Sequence, residues 1–211
     1  MGVIGVVAAL TMPSLMAKHH QKQMEAQFKK AYSALQQALY SIDPDMYATL
    51  SSNSGNTNTE FFADLYGKYK VINDKDVSRL YYVNRKWDIK TYNKKQGSYN
   101  QCAQLPSRIV SDGSAIGGMY NCFGNWIVID TNGPKGKPNA MGHDIFYFSL
   151  SNKGKLIPIG SKAYGHWEMK GDANFCSKSS THAQNGAGCS HFAVENTCPN
   201  DSSKTYWECL P

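Results

Sequence analysis

Apolar positions divide the chain into a helical front and a strand-rich back. Residues 1–17 carry no charge and are apolar nearly all round, with Val3, Ile4, Val6, Val7, Leu10 and Leu15 along the run and Pro13 within it. Lys18, His19, His20 and Lys22 follow at once. Beyond them Met24, Phe28, Ala31, Leu35, Ala38 and Ile42 recur at spacings of three and four, with Tyr32 and Leu39 on an adjoining edge. That spacing predicts one apolar stripe on an amphipathic helix. Asp43-Pro44-Asp45 stops it, because Pro44 has no N–H and disfavours helical geometry at the residue before it. Pro13 is either the first residue of this helix or an interior position of a longer one. In the second case a single helix runs to about Ile42, apolar all round over 1–17 and amphipathic over 18–42.

The back of the chain changes period. Residues 60–69 read as a short helix carrying Phe61, Phe62, Leu65 and Tyr69, and 73–101 have no clean periodicity. Strand patterns begin at 108–111, which run into Asp112-Gly113, a tight-turn dipeptide, and then Ala115-Ile116. Residues 125–130 and 144–150 are the strongest strands, and Asn152-Lys153-Gly154 turns the second toward 155–158. A helix followed by a run of antiparallel strands predicts an α+β fold, with the helix stripe covering one face of a sheet meander. After Gly160 the sequence is rich in Ser, Asn and Gly.

Composition adds a compartment. The 211 residues include 41% hydrophobic and 18% charged positions, ordinary for a globular chain. The net charge of +6 comes mostly from Lys, without a basic block or an RNA-binding motif, so nucleic acid is not an expected partner. All six cysteines lie in the second half: Cys102, Cys122, Cys176, Cys189, Cys198 and Cys209. Their even number suits disulfides in an oxidising compartment, and none forms a C-x-x-C redox pair. Pairing in sequence order would give Cys102–Cys122, Cys176–Cys189 and Cys198–Cys209; a zinc site drawing on Cys176, His182, Cys189, His191 and Cys198 is the alternative, with spacing that matches no usual pattern.

One stretch carries candidate chemistry. Residues 130–144 join the two best strands, are too long for a hairpin turn, and are dense in Gly, Pro, Asn and Asp. Asp130, Asn132 and Asp144 supply side-chain oxygens, and the glycines let backbone carbonyls turn inward, which is what a hard cation such as Ca²⁺ requires. The segment is not an EF-hand: Gly133 falls too early, Pro134 replaces a ligand, and the bidentate Glu is absent. The competing reading is that Asp130 and Asn132 only cap turns.

Residues 2–13, Gly-Val-Ile-Gly-Val-Val-Ala-Ala-Leu-Thr-Met-Pro, resemble the later part of the N-terminal segment of type IV pilins and type II secretion pseudopilins. The pattern Asp130-x-Asn132-Gly133 through Pro138-Asn139-x-x-Gly142-x-Asp144-x-Phe146 resembles a stretch that recurs before the last strands of many pilin-like proteins of type II secretion. The resemblance covers the first forty or so residues and roughly 107–160. It implies a pilin-like fold, an N-terminal membrane and assembly helix over 1–42, and a periplasmic or extracellular domain over 43–211. It also implies calcium held near Asp130, Asn132 and Asp144. The implied partners are other pilin or pseudopilin subunits, the inner membrane, and the secretion or pilus assembly machinery. The family's basic leader, Phe and Glu are not in this sequence, so the resemblance implies that Met1 falls inside the mature helix and that the processing and methylation site precedes it. At about 1.5 Å per residue, 1–17 span roughly 25 Å, short of the roughly 30 Å of a bilayer core. Lys18 and Lys22 favour a cytoplasmic C-terminal side, whereas disulfides require the domain outside; the disulfides decide.

Three function classes follow. The first is a structural subunit anchored and polymerised through Val3, Ile4, Val6, Val7, Leu10, Pro13 and Leu15. The second is a filament-tip binding module for adhesion or DNA uptake, with Tyr81–Tyr99 as its surface. The third is a secreted enzyme, which the residues support least: Ser114 and Ser161 lie in no G-x-S-x-G elbow, and His143, His166, His182 and His191 have no helical metal-binding spacing.

Overall fold

The computed structural model describes residues 3–47, 59–73, 89–95, 107–119, 126–151, 153–163 and 175–211. Helix α1 (Val3–Tyr40) is continuous, with Pro13 inside it. Its expected stripe is the buried one: Met24, Phe28, Ala31, Leu35, Ala38 and Leu39 are each at most 8% exposed, and Ile42 just beyond is 4% exposed. Residues 13–20 are exposed in an unbroken run. Among the side chains described, Met24 is the first buried one, about 16 Å along the helix from Pro13 at 1.5 Å per residue. No helix of the described residues is long and apolar enough to cross a membrane.

Strands β1 (Val71–Asn73), β2 (Arg108–Val110), β3 (Ala115–Met119), β4 (Trp126–Asp130), β5 (Ile145–Leu150) and β6 (Leu156–Pro158) form one sheet in the order of the chain, every neighbour antiparallel. This is the expected meander with one strand added. β1 was not legible, because three residues show no period, and it follows helix α2 (Thr59–Lys68) after only two residues.

β4 and β5 are the centre, and the pleat assigns their side chains to two different cores. Ile127 pairs with Phe148 and Ile129 with Phe146, and these four join Phe28, Leu35 and Trp207 in the core beneath α1. Val128 pairs with Tyr147 on the opposite face, where Trp126, Ile145, Ile159 and Phe175 make a second core. That second face is covered by the C-terminal region. Helix α3 (Cys189–Glu195) lies against β5 and β6, and the Ser190 hydroxyl accepts the Tyr147 N–H at 2.8 Å. Tyr147 lies just past the last residue of β5 that pairs with β6, so this bond keeps a buried backbone donor satisfied.

Two disulfides, Cys176–Cys189 and Cys198–Cys209, close loops 13 and 11 residues apart in sequence. They are two of the three pairs suggested by sequence order; Cys102 and Cys122 lie outside the described residues. With Cys176, Cys189 and Cys198 oxidised, the thiolates of the alternative zinc arrangement are gone.

Phe28 stands where α1 meets the sheet, 4.5 Å from Phe146 and 5.5 Å from Trp207 between ring centroids. Phe28→Ala is expected to cost about 3–5 kcal/mol in urea unfolding, whereas Lys22→Ala on the exposed face is expected to change stability by less than about 0.5 kcal/mol.

Candidate cation site

The loop between β4 and β5 is tied by its own acids. Asp130 closes β4 and is fully buried; its Oδ1 accepts the N–H groups of Asn132 (3.2 Å) and Gly133 (2.8 Å). Asp144, also fully buried, stands at the other end of the loop. Its Oδ1 accepts Ala140 N–H at 2.7 Å, and its Oδ2 accepts Asn139 N–H at 2.8 Å and the Asn132 amide at 3.2 Å. Asn132 thus touches both acids: its N–H bonds Asp130 and its side chain bonds Asp144. The structure brings the three sequence-predicted residues together.

The turns demand glycine at two places. Gly133 has φ +74°, and a Cβ there would lie 2.0 Å from the carbonyl oxygen of Gly113 in the β2–β3 turn. Gly142 has φ +78°, and a Cβ there would meet Cys189 Sγ at 2.8 Å and the Tyr206 hydroxyl at 2.9 Å. Only glycine adopts both conformations without strain.

Outside contacts hold the loop in place. Lys90 N–H donates to Asn139 O at 2.8 Å and Met141 N–H to Lys90 O at 2.9 Å, while Tyr92 N–H donates to Asn185 O. His143 is 1% exposed with Nε2 2.8 Å from Tyr92 O, so that nitrogen carries the proton. The Tyr206 hydroxyl donates to Gly142 O. Asn139, His143, Tyr92 and Tyr206 were not singled out from the sequence as site residues. Asn139 and His143 lay inside the quoted loop, and Tyr206 sits between the last two cysteines, but nothing local reports that they meet.

Asp144 is held by hydrogen bonds in a buried setting, with Lys94 near enough to interact with it electrostatically. Burial pushes the Asp144 carboxyl above its ordinary range, and the Ala140, Asn139 and Asn132 donors only partly pull it back. Among the described residues Asp144 makes no ion pair. Of its three donors, the Asn132 amide nitrogen is shared, since it also faces Lys137 O at 3.0 Å. Three buried oxygens of the loop lack hydrogen-bond partners: Thr131 Oγ1, Asn132 Oδ1 and Asn139 Oδ1. Hydroxyl and amide oxygens without partners, in a loop that also holds buried carboxylates, are the donor types a hard cation takes, and Asn132 would join them by turning its Oδ1 in place of its Nδ2 toward Asp144. Among the described residues no three His, Cys, Asp or Glu side chains gather as a metal-binding group, so the fit rests on this mixed oxygen set. Comparison with protein-family models, curated proteins and solved structures gave no match to this chain.

Burial lowers the His143 pKa to about 4, with Lys94 and His20 adding in the same direction and the Tyr92 carbonyl opposing. The unfolded chain then takes up this proton near pH 6.5 and the folded protein only near pH 4. Stability from His143 is complete above pH 6.5 and falls as the pH drops toward 4, by up to about 3 kcal/mol. Asp144 acts oppositely: its raised pKa means that the folded state gains a proton first, which adds stability as the pH falls. Urea melts from pH 7 to 4 are expected to show a flatter acid loss in His143→Gln than in the wild type, and a steeper one in Asp144→Asn.

Proposed function

We propose that this protein is a structural subunit of a type IV pilus or type II secretion pseudopilus, with a calcium-stabilised loop between its two central strands. The observation that carries the reading is the form of α1. One helix of 38 residues has an exposed stretch over 13–20 and a buried stripe that seats on an antiparallel meander. A globular domain has no need for the exposed part; Leu15 is 69% and Met16 71% exposed. Apolar side chains left in water beside an uncharged run are suited to burial among like helices or in lipid. The resemblance of residues 2–13 and of the 130–144 loop to pilin-like sequences supports the same reading.

The helix anchors the subunit in the inner membrane and then packs with those of its neighbours, while the domain stays periplasmic or lies on the filament surface. Assembly, not turnover, is the chemistry. Asp130, Asn132 and Asp144, with carbonyls of the loop, would hold the calcium ion. The ion would add positive charge beside the buried Asp144, and so rigidify the loop.

Two experiments test this. A photo-crosslinker at Met16, in cells expressing the gene from its natural locus, is expected to give a ladder of membrane-associated adducts with like subunits. A product that stays monomeric in the soluble fraction would contradict it. Metal-free protein is expected to melt several degrees higher with excess Ca²⁺ than with chelator, by mass action, and Asp144→Asn is expected to lose that shift. Identical melts of the wild type would reject the calcium.

A further inference from the structure

We propose that Tyr206 and Trp207, held in the loop closed by Cys198–Cys209, couple cation binding at the 130–144 loop to the seating of helix α1. This rests on the calcium reading above and names how that site would act on the rest of the molecule.

The two rings are among the most buried in the protein, Tyr206 at 0% and Trp207 at 1% exposure, although the surrounding sequence is polar. They stand edge to face, 5.1 Å apart between centroids at 86°. Each reaches a different body. Tyr206 donates its hydroxyl to the carbonyl of Gly142. Gly142 is two residues before Asp144, and its own N–H donates to Ile145 O at 2.8 Å. Trp207 packs on Phe28 of α1 at 5.5 Å and on Phe146 of β5 at 6.1 Å. Phe28 lies one turn beyond Met24, the first buried side chain of the helix among those described. Trp207 therefore grips α1 at the point where it passes from solvent onto the domain.

The disulfide makes this grip specific. Cys198 and Cys209 are 5.7 Å apart between Cα atoms and close a short loop around the two rings. The loop is further held by Lys204 N–H on Asp201 O, Cys198 N–H on Lys204 O and Cys209 N–H on Tyr206 O. Cys189 of the other disulfide sits beside the Tyr206 hydroxyl on the same side of Gly142, where a Cβ would meet both, at 2.8 and 2.9 Å. Gly142 thus touches a residue of each disulfide loop, and one of those loops also packs on the helix.

A cation that draws Asp144 and the loop oxygens together fixes Gly142. A fixed Gly142 carbonyl holds the Tyr206 hydroxyl, and the neighbouring Trp207 then restrains the turn of α1 around Phe28. The coupling is reciprocal, because a change in cation affinity caused by the helix must equal the change in helix seating caused by the cation. Contact alone does not establish such coupling, so the test removes one link and reads the far end.

The test is amide hydrogen exchange over residues 24–31 in the oxidised full chain, with excess Ca²⁺ and with chelator. Calcium is expected to slow exchange there about fivefold or more in the wild type, the lower range of measured couplings. Tyr206→Phe keeps the ring and the disulfide but removes the hydroxyl; calcium is expected to leave its 24–31 exchange unchanged, and its calcium affinity is expected to fall by the same factor. Equal slowing in wild type and Tyr206→Phe would overturn the coupling. Should titration calorimetry show no calcium binding to the wild type, the cation reading fails, and the link is read in metal-free protein. Asp144→Asn is then expected to speed 24–31 exchange only where Tyr206 is intact; the same increase in Tyr206→Phe, or none in either background, would overturn it. Trp207→Phe provides a second break at the helix end of the link, with the same outcomes.

Discussion

The rest of the structure answers to the burial of Asp130 and Asp144 at the ends of the two central strands. A carboxylate in a low-dielectric interior is costly unless it is neutralised or richly hydrogen-bonded. Here the backbone of the 130–144 loop wraps around both acids, so that its N–H groups point at them. The wrap forces positive φ at Gly133 and Gly142, and it leaves three buried oxygens without donors. The acids organise the loop, and the loop still falls short of satisfying Asp144, whose pKa stays raised. A bound cation would remove that shortfall in one step.

A loop under this demand needs an external frame. Segment 89–92 supplies one side through Lys90 and Tyr92. The two disulfide loops supply the other through Cys189 and Tyr206. Each disulfide can contribute about 3 kcal/mol by restricting the unfolded chain, which suits a region whose composition would not otherwise hold a fixed shape. In return the C-terminal region gives the sheet a second covered face. β4 is consequently buried at all five positions, and its hydrophobicity is continuous, not alternating.

The helix stripe and the strands β2 to β6 could be read in advance: Met24 to Ile42 recur at three and four, and the strands are short apolar stretches, Trp126–Ile129 and Ile145–Phe148 the strongest, bounded by turn residues. The candidate acids could be read because Asp130, Asn132 and Asp144 share one loop. Three short elements outside that pattern were not legible. β1, α3 and the 3-10 turn Trp207–Cys209 are shorter than the windows in which a period shows. The supports of the loop were hidden for a different reason. Tyr206 meets Gly142 across 64 residues of sequence, and His143 meets Tyr92 across 51. Only the folded arrangement makes them neighbours.

The claim on which the account turns is that Asp144 is a buried acid waiting for positive charge. Carboxyl ¹³C NMR of Asp144 across a pH titration reads this directly, in metal-free protein and again with saturating Ca²⁺. The account expects a titration above the ordinary aspartate range without calcium and a large downward shift with it. A carboxyl that titrates in the ordinary range and does not respond to calcium would contradict it.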